Sequence, residues 1–300
     1  MPGAWHGDDQ PVGLAAVLRA QDGVVTTAQV VACGVSARTA RRWVQEGRWS
    51  SPYPGVFLDG AHRYGPRARI RAVSLWAGPR GLISGPAAAW WYGLLETPPA
   101  VVTVTVPRAT SRRPRPGTRV RRRDLTAADR ASRAGIGLTA RPLTVLETAI
   151  AVPDGGALLD RALQRRWVTF DDVHAAWCRL CGATGATGAR RLLVAAADRA
   201  ASAAERRLVR LLRDAGIGGW RLAYPFGPYE IDLAFPAARL AIEIDGWAWH
   251  SDVARFRNDR RKGNELVTAG WVLLRVTWHD LEKAPGRVLA QIRHALARAR

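Results

Sequence analysis

The sequence predicts an α/β multidomain protein. It should hold an N-terminal winged helix-turn-helix, an α+β middle domain and a C-terminal α/β/α domain. Three observations carry that prediction. A chain of 300 residues has room for about two to three domains with their own cores. Residues 13–58 run through three short helical patterns into a hairpin pattern. Residues 201–300 alternate helical and strand periodicity, with carboxylates inside apolar, β-branched strands. Shifts in pattern place the domains at 1–60, 61–152 and 201–300, with 153–200 as a helical connector.

Val12–Ala20 has the spacing of a short amphipathic helix. Thr26 or Thr27 can cap a second helix through Ala32, and Gly34 supplies a turn. Ser36 caps a third helix, Ala37–Glu46, that carries Arg38, Thr39, Arg41 and Arg42. Trp49–Leu58 then reads as a two-stranded wing. In that order the third helix is the one that enters a DNA major groove, with Ser36, Arg38, Thr39, Arg41 and Arg42 as candidate contacts.

In the middle region Ala68–Trp76 and Gly85–Leu94 read as helices. Val101–Val106 alternates Val and Thr as a strand does. The run Arg112–Arg123 holds seven arginines with Pro and Gly, and reads as an exposed hairpin or loop. It is either a phosphate contact or a solvated basic surface. Leu143–Ala151 reads as a buried helix. The connector is Ala-rich and broken at Gly182–Gly188, with no Gly-Lys-Ser/Thr of a phosphate loop. His174, Cys178 and Cys181 share one helix face, but no fourth ligand follows them, and free cysteines usually serve as small buried hydrophobes.

In the last region a helix over Ala203–Ala215 precedes strands at Leu222–Tyr224, Tyr229–Phe235 and Leu240–Ile244. A helix over Val253–Thr268, a strand over Trp271–Val276 and a helix over Pro285–Arg300 follow. Asp232, Glu243 and Asp245 lie in the strands. A buried carboxylate is costly unless paired or bound to a metal. Glu243 and Asp245 are two apart, so both leave one face of their strand. Carboxylates converging at neighbouring strand ends suit a hard divalent cation, Mg²⁺ or Mn²⁺, and such an ion can polarise a phosphodiester.

Glu205 is either a further carboxylate of that site or the far end of a capping box, Ser202-Ala-Ala-Glu205. His250 can act as general base or phosphate donor, because an imidazole titrates near neutrality. Arg255, Arg257, Arg261 and Lys262 lie on the helix that follows and can contact phosphate. Trp247 and Trp249 can stack on bases or fill the core. Arg275, in a buried strand, should pair with Glu243, Asp245 or Asp259.

The formal net charge is +20, from 45 Lys and Arg against 25 Asp and Glu. That excess favours a polyanionic partner. Only Lys262 and Lys283 are lysines. Arginine in place of lysine, beside abundant Ala and Gly, fits GC-rich codon usage, which explains the choice of base but not the excess of bases. Three cysteines fit no disulfide framework and suit a reducing cytoplasm. No signal-peptide pattern opens the chain, and no apolar run reaches the ~18 residues of a membrane span.

Residues 203–297 resemble the restriction-endonuclease-like superfamily, in particular domains related to very-short-patch-repair mismatch endonucleases. The resemblance lies in Glu205, Asp232 in Ile-Asp-Leu, Glu243-Ile-Asp245-Gly, Trp249-His250, the Arg-x-Arg-x-Asp-x-Arg run at 255–261 and Gly270-Trp-Val-Leu-Leu-Arg. It implies Mg²⁺-dependent DNA cleavage, with Asp232 and Glu243 as metal ligands, Asp245 as accessory ligand and His250 as a phosphate or water contact. The superfamily's usual Lys, two residues after the acid, is here Asp245. His250 or Lys262 can supply the missing base; an inactive, binding-only domain is the alternative.

Residues 13–150 resemble the AbiEi-type antitoxin/regulator family. The matching motifs are Gly23-Val-Val-Thr-Thr-Ala-Gln29, Gly55-Val-Phe57 and the helix start at Ile83–Ala89. That resemblance implies a regulator that binds DNA and has a cognate toxin as partner.

Overall fold

The computed structural model describes residues 12–180, 185–245 and 253–298. The side chains of residues 12, 200, 245 and 253–257 lie outside that description. The chain forms two compact units that divide between Leu192 and Leu193.

The first unit opens with α1 (Val12–Ala20), β1 (Val24–Thr26), α2 (Thr27–Ala32), α3 (Ala37–Gln45), β2 (Trp49–Tyr53) and β3 (Val56–Asp59). The left-handed backbone of Asp22 and Gly23 ends α1. A side chain at Gly23 would stand 2.3 Å from His62, so only glycine fits there. Thr26 is the residue that caps α2, in a capping box with Gln29. Ser36 caps α3 by accepting from the Thr39 N–H at 3.0 Å. Helix α3 turns Ala40 and Trp43 inward and leaves Arg38, Arg41 and Arg42 exposed.

The β2–β3 hairpin is the expected wing, and β1, not foreseen, adds a third strand in the order β1-β3-β2. The wing tip folds back, because the Gly55 carbonyl accepts from the Thr27 N–H at 3.0 Å.

The chain continues through α4 (Pro66–Ala77), β4 (Leu82–Ser84), α5 (Gly85–Tyr92), β5 (Val102–Val106), β6 (Thr118–Arg122), β7 (Arg130–Arg133), β8 (Ile136–Thr139) and α6 (Arg141–Ala151). The strands form one sheet in the order β6-β5-β4-β8-β7. Val24, Tyr53, Val56 and Leu58 share a core with Ile70, Val73 and Trp76 of α4 and with β5. Asp22 reinforces the joint by accepting from the buried Arg71 guanidinium at 3.1 and 3.2 Å. The helix-turn-helix and the five-stranded sheet are therefore welded into one body.

The expectation of an exposed loop over Arg112–Arg123 is corrected. Its second half is β6, paired in parallel with β5. Val120 packs on the core. Arg121 and Arg123 reach the buried Glu147 of α6, at 3.2 and 2.5 Å from Oε1. Glu147 Oε2 accepts from the Gly85 N–H at the start of α5, 3.1 Å away. No local signal marks this strand, because its partners lie far away in sequence.

Helices α7 (Gly155–Gln164) and α8 (Phe170–Arg179) follow, then α9 (Ala186–Asp214). Arg179 of α8 holds the buried Asp129 with both a 2.8 Å and a 3.0 Å bond. His174 Nε2 lies 3.7 Å from Cys178 Sγ, and Cys181 falls outside the described residues.

In the second unit α9 leads into β9 (Arg221–Phe226), β10 (Tyr229–Phe235), β11 (Leu240–Asp245), α10 (Val253–Thr268), β12 (Val272–Thr277), α11 (Trp278–Lys283) and α12 (Pro285–Arg298). The sheet order is β12-β11-β10-β9. The β9–β10 and β10–β11 pairs are antiparallel, whereas β11–β12 is parallel with α10 as its crossover. One sheet face packs Leu233, Phe235, Ile242 and Ile244 on Leu208 and Leu212 of α9 and Val288 and Ile292 of α12. The opposite face packs Ala234 and Ala241 on Leu266 of α10. That is the expected α/β/α layering. Helix α11 was not foreseen; a capping box between Thr277 and Asp280 starts it.

Replacing Glu147 by Ala leaves Arg121 and Arg123 without their shared carboxylate. The expected loss is about 3–5 kcal/mol, read as a shift in the denaturant midpoint of the first unit. Glu147→Gln, which can still accept from Gly85, should lose less.

Candidate active site

Position on the sheet explains the site. The β10–β11 ladder runs Phe235↔Leu240, Ala234↔Ala241, Leu233↔Ile242. The paired register ends there, one residue short of Asp232 and Glu243. The pleat breaks there: Ile231 and Ala234, three apart, pack in one cluster, although strict alternation would part them. Across the ladder from Asp232, Ala223 has a φ of 49°. The irregularity is compatible with a side chain re-aimed at a sheet end. Asp232 Oδ2 accepts from the Ile244 N–H at 2.7 Å, which fixes the carboxylate against β11.

Glu243 lies on β11 beside Arg275 of β12 in parallel register. Its side chain is only 16% exposed. Lys262 of α10 donates to Glu243 Oε2 at 2.5 Å. The other oxygen, Oε1, is buried and has no hydrogen-bond partner among the described residues. Burial, and then the charge of Asp232, push the Glu243 carboxyl up to about 7, against the opposing pull of Lys262. Residue 263, the next on α10, is a buried glycine. A Cβ there would stand 3.3 Å from the Arg275 guanidinium and 3.5 Å from Leu273. At the other end of α10's contact with the sheet, the Tyr229 hydroxyl donates to Glu265 Oε1 at 2.9 Å.

Glu205 sits half-buried on α9. Burial, then the Asp232 charge, raise its carboxyl above the usual range. Helix α9 runs unbroken from Ala186, so Ser202 is mid-helix. The capping-box explanation of Glu205 is therefore corrected: a helix interior has no N–H groups left to cap. The Ala-rich stretch before 203 carries no breaker, so the helix simply continues through it.

The structure thus brings Asp232, Glu243, Glu205 and Lys262 into one electrostatic neighbourhood. Asp245 ends β11, with its side chain outside the described set. Gly246, Trp247, Trp249 and His250 also lie outside the described residues, and Arg255 and Arg257 are placed by backbone alone. Arg260 and Arg261 are exposed on α10. Among the described residues no three His, Cys, Asp or Glu side chains gather closely enough to hold a metal ion. The residues nonetheless fit one, because Glu243 Oε1 is a buried acceptor lacking a donor among the described residues, and its neighbour is a second carboxylate. Lys262 was foreseen as a phosphate contact and as one source of the missing base. Its pairing with Glu243 was not; only the β11–α10–β12 crossover joins residues 19 apart in this way.

In the first unit, Arg38 and Arg41 stand exposed on α3. Arg42 leans on Glu46 at 3.4 Å. Ser36 and Thr39 share a 2.8 Å hydroxyl bond at the helix start.

Comparison with known proteins matches these regions to two families. Residues 205–296 match the restriction-endonuclease-like family REase_MTES_1575. Residues 14–58 match the family described as "Transcriptional regulator, AbiEi antitoxin". Two uncharacterized proteins of Mycobacterium tuberculosis, MT2308 (strain CDC 1551 / Oshkosh) and Rv2248 (strain ATCC 25618 / H37Rv), are each 29% identical over 239 residues. The match covers 77% of this chain and 87% of each relative. Among solved structures, the homing endonuclease I-Bth0305I catalytic domain is 24% identical, with a TM-score of 0.28. The likeness spans 32% of this chain and 95% of that one. The RV2827C protein from Mycobacterium tuberculosis is 19% identical, with a TM-score of 0.42, over 61% of this chain and 75% of that one. No described helix is long and apolar enough to cross a membrane.

The raised Glu243 carboxyl sets a pH dependence. The folded protein holds this proton more tightly than the unfolded chain does. Its stabilising contribution is full below about 4.5 and is lost as pH rises through about 7. In cation-free buffer the thermal midpoint of the second unit should fall across that window, and Glu243→Gln should flatten the fall. An unchanged slope in the variant would show that Glu243 is not the titrating group.

Proposed function

We propose that this chain, which carries a restriction-endonuclease-like region and an AbiEi antitoxin-type region, is a divalent-cation-dependent DNA endonuclease with a DNA-binding helix-turn-helix. The observation that carries the reading is Glu243: a largely buried carboxylate with one oxygen on Lys262, the other with no hydrogen-bond partner among the described residues, and Asp232 beside it. Asp232 and Glu243 would hold Mg²⁺ or Mn²⁺, with Asp245 as accessory ligand. Bound there, the ion would polarise the phosphodiester and lower the pKa of an attacking water.

The chain's own residues do the rest. The Ile244 N–H holds Asp232 in place, so its carboxylate needs little reorganisation. Glu205, which holds its proton more tightly than an exposed glutamate, is suited to orient water at the Asp232 edge. His250 is proposed as a phosphate or water contact. Arg255, Arg257 and Arg261 are proposed to steer the DNA backbone. In the first unit Arg38 and Arg41, exposed on α3, are proposed as DNA contacts together with Ser36, Thr39 and Arg42. The cytoplasm is the proposed site of this action.

A second reading is favoured by the match of residues 14–58 to an antitoxin regulator: the chain binds its own promoter and a cognate toxin, and the nuclease fold only binds. Plasmid cleavage separates the two. With Mg²⁺ or Mn²⁺ the wild type should nick supercoiled DNA. Asp232→Ala and Glu243→Ala should each slow nicking by at least roughly 10²-fold, the scale of losing one electrostatic stabiliser. Wild type that binds the plasmid and leaves it whole favours the regulator. For binding, Arg38→Ala and Arg41→Ala should each lower affinity for duplex DNA and reduce the salt slope by about one, measured by fluorescence anisotropy across a salt series.

A further inference from the structure

We propose that Lys262 is an internal counter-cation that occupies the carboxylate site until a divalent cation displaces it, and that the displaced ammonium is then the phosphate contact of the site. The inference rests on the endonuclease reading above and assigns a role within it.

Lys262 holds an oxygen that a divalent ion would need. Its Nζ is 2.5 Å from Glu243 Oε2, and its side chain is 12% exposed. The ammonium reaches only one of the two Glu243 oxygens. Among the described residues Glu243 Oε1 has no hydrogen-bond partner, and Asp232 acts on both Glu243 and Glu205 through its charge. A divalent ion brings two charges to the same oxygens, so it competes with the ammonium for Oε2.

The lysine side chain can yield to that competition. Lysine carries a compact charge on a flexible four-carbon stem, whereas a guanidinium would grip a carboxylate through two parallel bonds. The chain uses arginine for all but two of its 45 basic residues, and the other lysine, Lys283, is exposed. Lysine at 262 is thus an exception to the chain's own habit, at the one buried carboxylate where a releasable cation is useful.

The test is calorimetric titration of Mn²⁺ alone into full-length wild type, Lys262→Met, Lys262→Arg and Glu243→Gln. Lys262→Met should bind Mn²⁺ about tenfold more tightly, the low end of coupling between close charges. Its plasmid nicking at saturating Mn²⁺ should fall about 10²-fold. Lys262→Arg should bind Mn²⁺ more weakly than the wild type. Lys262→Gln replaces Lys262→Met if the latter does not fold. Mn²⁺ affinity in Lys262→Met equal to or weaker than in wild type overturns the proposal. If Glu243→Gln loses Mn²⁺ while Lys262→Met matches wild type, only the role of Lys262 falls. If Glu243→Gln binds Mn²⁺ as wild type does, or no variant binds it, the endonuclease reading falls with it.

Discussion

A carboxylate held inside a sheet is the constraint around which the second unit is arranged. Glu243 has Ile242 and Ile244 on either side along β11, both buried in the core. Its own side chain leaves the strand on the α10 side, where Lys262 meets it. Removing such a group from water is expensive, and the expense is offset only by charge brought to it. The parallel β11–β12 pair makes that possible. Parallel strands need a crossover, the crossover is α10, and α10 supplies the lysine. Strand pairing and crossover serve one short contact.

The first unit solves a similar problem with no sign of chemistry. Glu147 is more deeply buried than Glu243, and both its oxygens are engaged, by two guanidiniums and a backbone N–H. Asp129 is likewise closed by Arg179 and by the Thr126 hydroxyl. These pairs join elements distant in sequence, and they hold the sheet to α5, α6 and α8. The contrast is informative: both oxygens of Glu147 and of Asp129 are engaged, with arginine among the donors. Glu243 differs, with lysine on one oxygen and, among the described residues, no hydrogen-bond partner on the other.

Periodicity and caps made much of the fold legible. Ser36 and the spacing after it locate α3 to within one residue, and the apolar spacing over Val253–Thr268 matches α10 at both ends. Caps and apolar spacing are local, so sequence displays them. Long-range pairing is not local. β6 was hidden inside an arginine run because its stabilising partners are β5 and Glu147. The continuity of α9 past residue 200 was hidden because Ser202-Ala-Ala-Glu205 reads locally as a helix start. At the site, Asp232 and Glu243 stood out as charges inside apolar strands, whereas Lys262 looked like one more base on a basic helix. Its meaning depends on the topology of the sheet, which spacing alone does not reveal.

The same contrast bears on whether the second unit works or only packs. A domain kept for its fold gains nothing from an acid with an unpartnered oxygen in the sheet. A β-branched apolar residue of similar volume at 243 would fill the space and remove the desolvation penalty, and replacing buried ion pairs in this way is often neutral or stabilising. Lys262 would then need no partner. Glu243 and Lys262 make physical sense together as a site that exchanges one cation for another. Taken as packing, each is a poor choice. Strained or under-satisfied groups of this kind are where function departs from the rules that govern the rest of a fold.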